Sequence, residues 1–163
     1  MKTAPIHELK QELLSLPPHQ LTELTLRLAK FKKENKELLT YLLFEAHDEA
    51  GYIESVKKET EEQFTGINQS NLYFVKKTLR KIVRTLTKYS RYTGSAVVTI
   101  ETGIHFCETL KNSGIPFQKS PIIVNLYNSQ LQKIKKELAG LHEDLQYDYR
   151  KAVESLVPDT GKP

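Results

Sequence analysis

The sequence predicts an all-α fold: a single-domain antiparallel helical bundle, or a short α-superhelix, of about six or seven helices with a long C-terminal helix. Three observations lead there. Apolar residues recur at alternating spacings of three and four along most of the chain, the period of one helix face. Prolines, glycines and capping residues fall between those runs, where helices start and stop. Only residues 97–100 (VVTI) favour a strand locally, and no second strand exists to pair with them.

Taken in order, a short helix is expected over about residues 4–15, with Ile6, Leu9 and Leu13 on one face. Pro5 falls in its first turn, where the missing N–H is tolerated. Pro17 and Pro18 stop it and start the next, with Leu16 placed to pack on Leu21 as a hydrophobic staple. Leu21, Leu24, Leu28, Phe31, Asn35, Leu38 and Leu42 then hold one phase. A single helix over 18–48 would fit them; a break at Asn35, a good N-cap, fits the change in composition better. The run LLTYLLF (38–44) is apolar almost all round, which predicts the central core helix. Asp48-Glu49-Ala50-Gly51 reads as a turn before a surface helix over 52–64, with Ile53, Val56 and Phe64 inside and KKETEE outside.

Residues 65–69 form a loop, and Ser70 is placed to cap the next helix. That helix carries Leu72, Val75, Leu79, Ile82, Leu86 and Tyr89 at helical spacing and ends at Thr93-Gly94-Ser95. Residues 96–111 are also predicted helical, because Val97, Ile100, Ile104 and Cys107 share one face. A loop follows over 112–119. Ser120-Pro121 is a cap followed by proline at the first helical position. From Tyr127 to Leu156 the phase never resets, so one helix over 121–156 is expected, about 54 Å long. It would extend a seam for a second subunit. The helical domain is expected to cover residues 1–156, with a disordered tail at 157–163.

The 163 residues include 39% hydrophobic and 27% charged, a balance that suits a soluble globular chain. No apolar run approaches the roughly 18 residues of a membrane span, and the N-terminus lacks a signal-peptide apolar region. A single cysteine, Cys107, excludes an internal disulfide framework. A cytoplasmic location is expected, with no membrane partner. The net charge of +4 is unevenly spread. Residues 1–69 hold 9 Lys+Arg against 12 Asp+Glu, residues 70–92 hold 7 against none, and residues 93–163 hold 8 against 8. The basic character therefore comes from one helix, a sharper pointer to a partner than net charge.

Its cations are Lys76, Lys77, Arg80, Lys81, Arg84, Lys88 and Arg91, and five of them (77, 81, 84, 88, 91) repeat at spacings of four and three. Such a stripe can line phosphates and release counterions, and Tyr73, Phe74, Tyr89 and Tyr92 could supply stacking faces. The plainer reading is a solvated face paired with the acidic first third of the chain, where KKETEE and EAHDEA offer carboxylates.

His47-Asp48, near a helix end, resembles the HD motif of helical metal-dependent phosphohydrolases. In that family a His, a His-Asp pair and a later Asp hold metals that activate water for attack on phosphorus. The resemblance implies His19 as the first His, and Asp144 or Asp148 as the last Asp. Glu101 and His105, four apart, could place two metal ligands on one helix face, with Cys107 on the apolar side. Read plainly, they are a surface Glu–His pair beside a buried structural Cys. His142-Glu143-Asp144 with Asp148 reads as the polar face of the last helix. Nucleophile elbows, phosphate-binding loops, zinc-protease motifs and di-iron signatures do not occur, and no cofactor is expected.

The function these features predict is a non-enzymatic cytoplasmic helical module that binds a protein partner or a second copy of itself. The alternatives are nucleic-acid binding through the basic helix 70–92 and metal-dependent phosphohydrolysis using His47 and Asp48.

Overall fold

Every regular element among the described residues, 1–157 of this computed structural model, is helical. The tail expected at 157–163 lies outside them apart from Val157. Contacts divide the chain into two compact units, residues 1–46 and a larger one beginning at His47.

The first unit holds α1 (Ile6–Ser15), α2 (Pro18–Phe31) and α3 (Lys33–Thr40), which runs on as a π turn over Tyr41–Glu45. The break between α2 and α3 falls at Lys32, which is extended at φ −140°, ψ 146°, and not at Asn35. Asn35 lies inside α3, and its Nδ2 donates to the Leu28 carbonyl at 2.8 Å. It satisfies one of the orphan carbonyls at the end of α2. The residue read as a cap for the following helix thus caps the preceding one.

Residues 38–44 are not the central core helix. Tyr41 is buried, but Leu42, Leu43 and Phe44 are 56%, 61% and 68% exposed. The π turn ends the helix here, with Ala46 N–H donating to the Tyr41 carbonyl at 2.9 Å. These three side chains stay largely exposed, so an all-round apolar composition does not make a core.

The second unit holds α4 (Glu49–Thr65), α5 (Leu72–Thr93), α6 (Ala96–Asn112), a 3-10 turn (Phe117–Lys119), α7 (Pro121–Ala139) and α8 (Glu143–Leu156). The centre of this unit is α6, which packs against α4, α5, α7 and α8. Val98, Ile100, Phe106, Cys107 and Leu110 on it are fully buried, and Thr99, Thr102 and Ile104 nearly so. A helix buried on all sides has no single apolar stripe. Residues 97–100 looked strand-like because all four are β-branched, and burial within the helical core overrides that local preference.

Local capping sets the boundaries. Asp48 caps α4, its Oδ1 accepting from Gly51 N–H at 2.9 Å, so the expected turn at 48–51 is the first turn of that helix. Asn71, not Ser70, caps α5, accepting from Tyr73 N–H at 2.8 Å. Gly94 ends α5 in the left-handed region at φ 63°, a conformation that costs other residues more, and Ser95 caps α6.

The predicted long C-terminal helix is two helices, and the last is 14 residues long. After Ala139 the chain leaves the helix through Gly140, Leu141 and His142, the last extended at φ −60°, ψ 148°. Folding back puts both apolar faces in one core: Ile123, Tyr127 and Ile134 of α7 and Val153 and Leu156 of α8 are all buried. Tyr127 Oη donates to the Leu156 carbonyl at 2.6 Å. A straight helix of about 54 Å would carry its second half away from that core. The phase survives because both helices face the same interior. The break raises the count to eight α-helices among the described residues, against the six or seven expected. Of the seam that was expected to meet a second subunit, Tyr127, Leu131, Ile134 and Leu156 are buried within the chain, while Leu145 is exposed.

Candidate functional site

The basic stripe lies on the solvent side of α5. Val75, Leu79, Ile82 and Leu86 are buried on one face of this helix. At about 100° per residue, Lys77, Lys81, Arg84, Lys88 and Arg91 fall roughly opposite. Lys77, Arg80, Lys81, Arg84 and Arg91 are exposed, and Lys76 and Lys88 are half-buried. Among the described residues the five exposed cations form no ion pair. Arg84 Nε donates to the Arg80 carbonyl at 3.3 Å. Lys76 Nζ stands 5.3 Å from the Tyr73 ring centroid, and Lys88 Nζ 5.3 Å from that of Tyr89.

Two of the carboxylates expected to neutralise this stripe, Glu59 and Glu61, face other groups. Glu59 accepts from Tyr89 Oη at 3.0 Å and from Gln63 Nε2 at 3.1 Å. Glu61 Oε1 lies 3.3 Å from His105 Nε2, without the alignment of a hydrogen bond. At the C-terminal end of α5, Arg91 lines a recess of about 270 Å³ with Ser95, Lys133 and Glu137. Burial pulls the Lys133 ammonium below the ordinary lysine pKa, with Glu137 working against that shift.

Glu101 and His105 do not act as a pair. Each reaches a different residue of α4: Glu101 Oε2 meets Lys57 Nζ at 2.9 Å, and His105 faces Glu61. Lys57 also binds Glu54 at 3.1 Å. Burial, followed by the Glu101 carboxylate beside it, pushes the Tyr149 hydroxyl up to about 12. These contacts tie α4, α6 and α8 together. Lys57 and Tyr149 had no visible role in the sequence, because their partner is distant along the chain. Cys107 is fully buried, and burial pushes its thiol up to about 12. It is a core residue with negligible thiolate character.

The residues implied by the HD resemblance have other surroundings. His19 is an exposed residue of the first turn of α2. His47 is exposed, and Asp48 uses its carboxylate as the α4 cap. Asp144 sits in the first turn of α8, donating its N–H to His142 Nδ1 at 3.4 Å, and Asp148 is exposed on the same helix. Among the described residues no three His, Cys, Asp or Glu side chains come together as metal ligands.

A second surface was missed in the sequence because its residues were assigned to a core. In residues 1–46 only Ala29 and Tyr41 are buried apolar residues. Twelve of the eighteen exposed large hydrophobic residues of the described chain lie there, including Ile6 (81%), Phe31 (77%) and Phe44 (68%). No helix among the described residues is long and apolar enough to cross a membrane. Comparisons with protein-family models, curated proteins and solved structures find no match.

Proposed function

We propose that the chain is a non-enzymatic helical binding module that associates with a second copy of itself through residues 1–46. The observation that supports this reading is the uncovered apolar surface of that unit. Ile6, Leu9 and Leu13 on α1, and Leu24, Leu28 and Phe31 on α2, have one-face helical spacing and are all exposed. Full burial of such a side chain is worth roughly 1.5–3 kcal/mol, and each of these would gain the part of it that corresponds to its exposed area, before the costs of association. Exposed apolar area on this scale marks a contact surface.

A second copy suits the surface better than a strongly charged partner. Residues 1–46 hold seven Lys+Arg and six Asp+Glu, a net charge of only +1, so two copies meet with little repulsion. The stripe steps by three then four on α1 (Ile6, Leu9, Leu13) and by four then three on α2 (Leu24, Leu28, Phe31), so each helix offers one apolar face to a two-fold contact.

Light scattering on the full chain across a concentration series tests the proposal, beside the variant L28E/F31E/L43E. The wild type should gain mass with concentration. The variant should stay monomeric with unchanged helical content, since none of the three side chains is buried. A wild type that remains monomeric throughout the series overturns the proposal.

A further inference from the structure

We infer that the solvent face of α5, from Tyr73 to Arg91, binds the phosphate backbone of a single-stranded nucleic acid, with a base stacked on Tyr73. Three observations carry this. First, the cations are available: Lys77, Arg80, Lys81, Arg84 and Arg91 are exposed and make no ion pair among the described residues. The helix has no acidic residue of its own to neutralise them. Second, they form a line. From Lys77 to Arg91 the stripe advances about 21 Å along the axis, with one or two cations per turn. Third, Tyr73 is in register with that line, one turn before Lys77, and its ring is 58% exposed. It is held edge-on by Phe74 at 5.5 Å, with Lys76 over the ring.

A row of cations headed by an exposed aromatic ring matches a polymer that repeats both charge and π-faces. An anionic membrane would require apolar side chains set among the cations to enter the lipid. On α5 Val75, Leu79, Ile82 and Leu86 are buried on the opposite face, and the one exposed apolar ring beside the cations, Phe74, is packed edge-on against Tyr73 at 5.5 Å. A duplex would use the cations but leave Tyr73 without a base to stack on.

The test is fluorescence anisotropy of the full chain with a labelled mixed-sequence single strand, across a salt series. The same sequence as a duplex, phosphatidylserine vesicles and polyglutamate serve as competitors. Five neutralised phosphates at about 0.7 each predict a log–log salt slope near −3.5 for the single strand. The variant K77E/K81E/R84E should lose at least about a hundredfold in affinity. Y73A should lose about tenfold, within the range for one stacked base, and leave the salt slope unchanged. The three cations and Tyr73 are exposed, so circular dichroism of both variants should match the wild type. Absence of binding at low salt overturns the inference, as does retention of affinity in the triple variant. Stronger competition by vesicles or polyglutamate than by unlabelled single strand also overturns it. A preference for duplex with no effect of Y73A contradicts the single-strand assignment.

Discussion

Lys57 is a residue whose importance depends wholly on the fold. Its ammonium lies between Glu101 of α6 and Glu54 of α4, at 2.9 Å and 3.1 Å. Burial opposes the charge, but the hydrogen bonds to Glu101 and Glu54 outweigh it, so folding raises its pKa above the ordinary 10.5. A raised lysine pKa means that the folded state binds the proton more tightly than the unfolded state. The resulting stability is complete below 10.5 and is lost as pH climbs through the folded value. K57M should therefore cost about 1 kcal/mol near neutral pH, or roughly 2–4 °C in Tm. The gap between variant and wild type should narrow in thermal melts as pH climbs beyond 10.5 and through the raised folded value. A gap that stays constant through that range would show the loss to be one of packing. Asn35 carries the same lesson. The sequence marks it as a capping residue, but only the structure shows that it serves the carbonyl of Leu28, seven residues earlier.

At the scale of elements, α6 is the clearest case of a helix defined by its neighbours. At Gly103 a Cβ would lie 2.9 Å from Ile134 Cγ1, and Ile134 is itself buried. G103A gains up to about 1 kcal/mol in helix propensity but forces α6 and α7 apart, which costs typically 1–3 kcal/mol. A net loss of stability in urea denaturation is expected; a stabilised variant would mean that Ile134 has room to yield. Much of the helical pattern was legible. The buried faces of α4 and α5, the α5 stop at Gly94 and the start of α7 at Pro121 follow from spacing and caps. The break after Gly140 was not legible, because α7 and α8 face one core and so keep one phase across the turn. Period reports which side is buried, not whether the axis is continuous.

At the scale of the whole molecule, the sequence placed the core in the wrong stretch. Residues 38–44 are the most apolar run, yet Leu42, Leu43 and Phe44 are exposed, while α6, with its threonines and a glycine, occupies the centre of the second unit. Hydrophobicity alone cannot separate a side chain buried by its own chain from one left for a partner. The basic stripe was legible in full, since helical spacing fixes its line. That Lys77, Arg80, Lys81, Arg84 and Arg91 form no ion pair among the described residues was not, because that depends on where Glu59 and Glu61 turn. The two proposed surfaces differ in chemistry, one apolar with nearly balanced charge and one cationic, so salt should separate them. Added salt should weaken binding at α5 and leave apolar association largely intact.

Self-association through residues 1–46 is the central claim, and amide hydrogen exchange on the full chain at a low and a high protein concentration tests it most directly. Amides of α1 and α2 should gain protection at the higher concentration, while those of α4 to α8 stay unchanged. Identical exchange at both concentrations, or new protection confined to the second unit, would contradict it.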